Sequence, residues 1–196
     1  MTPRSRIDPR SRTVWNSRYC AGLPHPGLII TLVGYFGLLF LTTKFRDSGL
    51  GVLFVFALTG FMGFTLGPII AKYLSLPNGH QIVMQAMGGT AAIFLGLSAY
   101  ALTTRKDFSF MGGFLMVGIL VAFLAGLGAV FFEMPGLSLA VSAMFVLLMS
   151  GLILYETSNI IHGGETNYVM ATVTLYVTIY NLFTSLLHLL GVLNDE

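Results

Sequence analysis

From residue 26 onward the chain alternates long apolar runs with short polar breaks. A bilayer's hydrocarbon core is roughly 30 Å thick, so a spanning helix rising about 1.5 Å per residue needs about 20 mostly apolar residues. On that scale the pattern predicts helices at 26–43, 50–74, 80–104, 110–132, 137–161 and 168–193. The breaks between them carry what a helix interior rejects: Lys44 to Gly49, Ser75 to Gly79, Thr104 to Asp107, Glu133 to Gly136 and His162 to Asn167. The expected fold is all-α, a polytopic bundle of six transmembrane helices whose main partner is the lipid bilayer. Residues 1–25 read as an Arg-rich tail, disordered or aberrant, 26–193 as the transmembrane domain and 194–196 as a C-terminal tail, leaving no room for a soluble domain.

Composition supports the membrane reading and narrows the chemistry. Hydrophobic residues make up 55% of the 196 positions and charged residues 9%, with a mean hydropathy of +0.82; a water-soluble fold could not cover so much apolar surface. Cys20 is the only cysteine, which excludes an intrachain disulfide and cysteine-based metal or redox centres. The segment His162-Gly163-Gly164-Glu165 has the spacing of a turn, not of a helical metal motif. No phosphate-binding glycine loop, dinucleotide fingerprint, serine-hydrolase or kinase pattern occurs, so no cofactor and no enzymatic chemistry are expected.

Charge placement adds a conflict. Cytoplasmic loops are enriched in Lys and Arg. Lys44 and Arg46 mark the first loop and Arg105 and Lys106 the third, which puts the first, third and fifth loops in the cytoplasm. The start of the first helix then lies outside, although five Arg (Arg4, Arg6, Arg10, Arg12, Arg18) just upstream favour the inside. Residues 1–20 contain no apolar run that could add a helix or serve as a signal peptide. The expectation is a lost first transmembrane helix, through a truncated, frameshifted or misassigned start. Trp15 and Tyr19 lie among the arginines of the tail, but membrane spans follow it at once, and no nucleic-acid partner is expected.

Charged groups inside a span are costly, which makes Glu156 the first candidate site residue. It sits about five residues inside the end of the fifth helix, among Leu152, Ile153, Leu154 and Tyr155, where burial makes protonation part of its behaviour. In the last helix Thr174, Thr178, Asn181, Ser185 and His188 recur at steps of four, three, four and three, which sets them on one face. Counting back from the loop between these two helices places Glu156 opposite Val173 or Thr174, with Thr178 one turn deeper. Glu156, Thr178, Asn181 and Ser185 are therefore the candidate polar core, serving either helix packing or the lining of a proton or ion path. Gly63 with Gly67, and Gly88 with Ala92 and Gly96, are expected to let helices approach closely, and Pro68 to kink the second helix.

The segment YETSNIIHGGETNYVMATVTLYVTIYNLFTSLLHLLG, Tyr155 to Gly191, resembles the signature region of the Bax inhibitor-1 (TMBIM) family, and the likeness extends over Pro24 to Gly191. PHPGLIITLVGYFGLLFLTTK, ALTGFMGFTLGPII and GGTAAIFLGLSAYALTTRKDFSFMGG are most similar to its bacterial inner-membrane branch, which modulates the membrane protease FtsH. The resemblance implies a seven-helix fold with a cytoplasmic N-terminus, of which this chain carries the second to seventh helices, and the FtsH complex as partner. Some relatives form a pH-sensitive calcium leak controlled by two Asp on the last two helices. Those positions fall at Glu156 and Thr178 here, and one carboxylate with a hydroxyl cannot form that proton-sharing pair.

Overall fold

The computed structural model describes residues 28–132 and 134–194; the Arg-rich tail expected at 1–25 lies outside the described residues. Six helices follow in order: α1 Leu28–Lys44, α2 Gly49–Leu74, α3 Gly79–Thr104, α4 Met111–Phe131, α5 Pro135–Ile161 and α6 Tyr168–Asn194. The six sequence-derived spans agree with these within two residues at every described end. Five of the helices are long and apolar enough to cross a membrane, and α1 is a shorter apolar helix. Their ends follow local chemistry. Ser48 caps α2 by accepting the Leu50 amide, Pro135 sits in the first turn of α5, and Asn167 Oδ1 accepts the amides of Val169 and Met170 at the start of α6. Helix α2 continues as one helix through Pro68.

Helix α6 is the post of the bundle. It packs on α5, α3, α2 and α1, and its buried residues run from Val169 through Thr178, Leu182 and Leu187 to Gly191. Helix α1 leans mainly on α2, and α4 packs chiefly on α5. The outward faces are apolar: Phe56, Phe114, Met116 and Leu147 are each more than 70% exposed. Such a surface is unsuited to water and matched to acyl chains, which makes this a multi-pass membrane protein.

The close approaches between helices do not occur where the glycine spacing predicts them. A β-carbon at Gly63, Gly67, Gly88 or Gly96 would meet nothing within 4 Å, so these faces are open on the outside of the bundle. Glycines do come tight elsewhere, at Gly34 against Phe61, at Gly191 against Tyr73, and in a seam between α4 and α5. There a β-carbon on Gly118 would stand 2.7 Å from Leu148, one on Gly112 2.9 Å from Tyr155 and one on Gly151 2.9 Å from Leu115. Since α5 is the main support of α4, this seam largely fixes its position.

Gly118→Leu should therefore force α4 off α5 and cost about 1–3 kcal/mol, whereas Gly63→Ala should stay within about 0.5 kcal/mol of the parent. Reversible unfolding of the purified protein in mixed micelles measures both.

Candidate functional site

The three loops that the charge rule assigns to the cytoplasm meet at one end of the bundle. Asn167, in the fifth loop, donates through Nδ2 to Asp47 Oδ1 at 2.8 Å and to the Arg46 carbonyl at 3.3 Å in the first. Ser158, on the last turn of α5, is 1% exposed; its hydroxyl donates to the Lys106 carbonyl and accepts the Phe108 amide, each at 3.1 Å. One turn on, His162 reaches the Arg105 carbonyl. Arg105 ends α3 in the left-handed region at φ 50°, which turns the chain back sharply. The turn after α5 needs its glycines: Gly163 has φ +75°, and a β-carbon on Gly164 would overlap the Asn159 side chain.

Just inside this end lies Glu156, 9% exposed. The residue facing it is Thr174, one of the two that the hairpin count allows: Thr174 Oγ1 stands 3.5 Å from Glu156 Oε2. The same hydroxyl is 2.8 Å from the Met170 carbonyl, and with one hydrogen to donate it makes that shorter bond the principal one. The pattern repeats down α6. Thr178 donates to the Thr174 carbonyl at 2.7 Å, Asn181 to Val177 at 2.8 Å and Thr184 to Tyr180 at 3.0 Å. Four residues back along a helix is within reach of a short polar side chain, so much of the stripe is satisfied by its own backbone. His188 instead crosses to α5, where its Nδ1 is 2.9 Å from Ser142 Oγ.

Two of the four candidate residues open onto a cavity. Thr178 and Asn181 lie on the wall of a space of about 680 Å³ between α1, α2, α4, α5 and α6. Tyr35 faces Asn181 across it and Tyr180 faces Thr65. The rest of the wall is apolar, with Phe61, Met149 and Leu152 among it, and Phe36 meets Phe123 edge-on at 6.0 Å between α1 and α4. Glu156 and Ser185 do not line this space. Ser185 is half-buried, on the next turn beyond Asn181. The candidate residues thus separate into a carboxylate niche near the loops and a hydroxyl- and amide-bearing wall deeper in. Sequence reasoning missed Tyr35, Thr65 and Tyr180, which belong to three different helices and share no spacing with the stripe.

Comparison with known proteins places the chain. A family model described as inhibitor of apoptosis-promoting Bax1 matches residues 11–195. The modulator of FtsH protease YccA of Escherichia coli is 57% identical over 169 residues, which cover 86% of this chain and 77% of that protein. In another strain of that species the same match carries the name inner membrane protein YccA. An uncharacterised protein of Pseudomonas aeruginosa is 56% identical over 174 residues, covering 89% of this chain and 78% of the relative. An uncharacterised membrane protein of Vibrio cholerae is 43% identical over 173 residues, covering 88% and 78%. With nearly the whole bundle matched, and the Tyr155 to Gly191 hairpin packed as one unit of α5 and α6, the chain belongs to the Bax inhibitor-1 family.

Proposed function

We propose that this chain is a bacterial inner-membrane protein that associates with the FtsH protease complex and modulates its action on other membrane proteins, with no chemistry of its own. The observation that carries the reading is the 57% identity to the Escherichia coli modulator across almost the entire bundle. Recognition between membrane proteins depends on their helix faces and loops, and the shared stretch takes in 86% of this chain. The geometry adds a reason to look to association: the polar residues of α6 are largely engaged with their own backbone, as expected of a scaffold. Glu156, Thr178, Asn181 and Ser185 act in this reading as the polar core that sets how α6 seats among its neighbours.

Co-purification from native membranes tests the association. The tagged chain should bring FtsH with it under mild detergent, well above the level recovered with an unrelated inner-membrane protein of similar size. Recovery at that control level would remove the reading.

The alternative of a leak path gated by Glu156 gains no support from the cavity, whose wall does not include that residue. Liposomes containing the purified chain should accordingly show calcium and proton flux at the level of empty liposomes, and Glu156→Gln should leave that unchanged. Flux in the parent that Glu156→Gln abolishes would establish conduction instead.

A further inference from the structure

We propose that the cavity between α1, α2, α4, α5 and α6 is a binding site, entered from the lipid, for an uncharged amphiphile whose apolar body carries a hydrogen-bond-accepting oxygen such as a carbonyl. At about 680 Å³ it falls within the range of about 300–1,000 Å³ common to small-molecule sites, which combine apolar walls with a few convergent polar groups. Its mouth faces the acyl chains. Phe36, Met116 and Leu120 line the space and are also 51%, 76% and 58% exposed on the outside of the bundle, so the opening lies along the seam between α1 and α4. That seam is thinly closed. Helix α1 is seated on α2 and more lightly on α6, and the ring contact that joins it to α4 is Phe36 edge-on to Phe123. Phe36 lies mid-helix in α1, and Leu120 and Phe123 lie mid-helix in α4, so the opening is at the depth of the hydrocarbon and not of the headgroups.

The chemistry of the wall selects the ligand. Among the described residues that line the space there is no Asp, Glu, Lys, Arg or His, so a charged head would stand there without a partner, at high cost. The polar groups offer a spare donor. Thr65 and Thr178 spend their hydrogens on the Phe61 and Thr174 carbonyls, at 2.6 and 2.7 Å. Asn181 and the Tyr35 that faces it differ, because together they carry three hydrogens, two on the amide nitrogen and one on the phenol. One goes to the Val177 carbonyl at 2.8 Å, and at most one is used between the two side chains. At least one hydrogen therefore remains for a third acceptor, and both side chains line the cavity. A purely hydrocarbon occupant leaves that donor unmet, whereas a carbonyl oxygen accepts from it. Phe61, Met149 and Leu152 supply the apolar wall for the rest of the molecule. The site is separate from the Glu156 niche, which does not open onto it, and it asks nothing of association with a protease.

The test is nuclear magnetic resonance of the full chain in lipid nanodiscs, with ¹³C-methyl methionine, titrated with 2-decanone, n-decane and decanoate. Met62 and Met149 report from the cavity wall, and Met84, 72% exposed and not part of that wall, reports on the bulk lipid. The ketone should shift the Met62 and Met149 methyls saturably while Met84 shows no saturation. It should bind about two- to tenfold more tightly than decane, the worth of one hydrogen bond, and more tightly than decanoate. Tyr35→Phe or Asn181→Leu alone leaves one hydrogen to donate, whereas the two together leave none and should bring the affinity for the ketone down to that for decane. Cavity methyls that never saturate, equal binding of ketone and decane, decanoate binding as tightly as the ketone, or a ketone preference that survives the double change would each overturn the site. Should the double variant fail to fold, the ratio of ketone to decane affinity in the parent decides alone.

Discussion

No water reaches the hydrocarbon core, so a polar group placed there must find its partner inside the protein, and the rest of this bundle is arranged around how α6 meets that requirement. The helix carries Thr174, Thr178, Asn181 and Thr184 through the middle of the membrane, and each donates to the carbonyl four residues earlier. Because these donors are satisfied locally, α6 can be surrounded by largely apolar neighbours without stranding a hydrogen bond. Ile82 and Ala86 of α3 meet its Phe183 and Leu187 on one side, and Leu58 and Met62 of α2 meet its Val173 on another. Groups that reach across include His188 to Ser142 and Thr174 to Glu156, which tie α6 to α5, and Tyr176, whose hydroxyl donates to the Thr59 carbonyl of α2 at 3.4 Å.

Outside this post, position is set by shape. Helix α4 has α5 as its main support, and glycine at 112, 118 and 151 lets the two come close enough for Tyr155, Leu148 and Leu115 to fill the space. Dispersion between closely packed surfaces replaces the hydrophobic drive that is missing between helices in lipid. At the loop end the same economy appears in polar form. Ser158 and His162, one turn apart on α5, hold the α3–α4 loop through its backbone, and Asn167 holds the first loop.

Length and polarity made the six spans legible, because the bilayer imposes one minimum length on every run and concentrates charge in the breaks. Hairpin geometry made the Glu156–Thr174 pairing legible, since two antiparallel helices joined by a short turn can be counted outward from it. Which way the glycines face was not legible. A helix that is apolar all round gives no periodic signal to separate the lipid side from the packed side, and so Gly63 and Gly88, well spaced for packing, lie on open faces while Gly118 does not. The cavity wall of Tyr35, Thr65 and Tyr180 and the clasp of Ser158 on the α3–α4 loop escaped for another reason: each joins positions far apart in the chain, and spacing within one helix carries no trace of such contacts.

The central claim, that α6 is the enclosed post of the bundle, is tested most directly by carbene labelling from a photoactivated reagent dissolved in the lipid phase, read out residue by residue. Phe114, Met116 and Leu147 should be labelled heavily, and Thr178, Leu182 and Leu187, each 0% exposed, should stay at background. Labelling of Leu182 and Leu187 comparable to that of Phe114 would place α6 against the lipid and contradict the account.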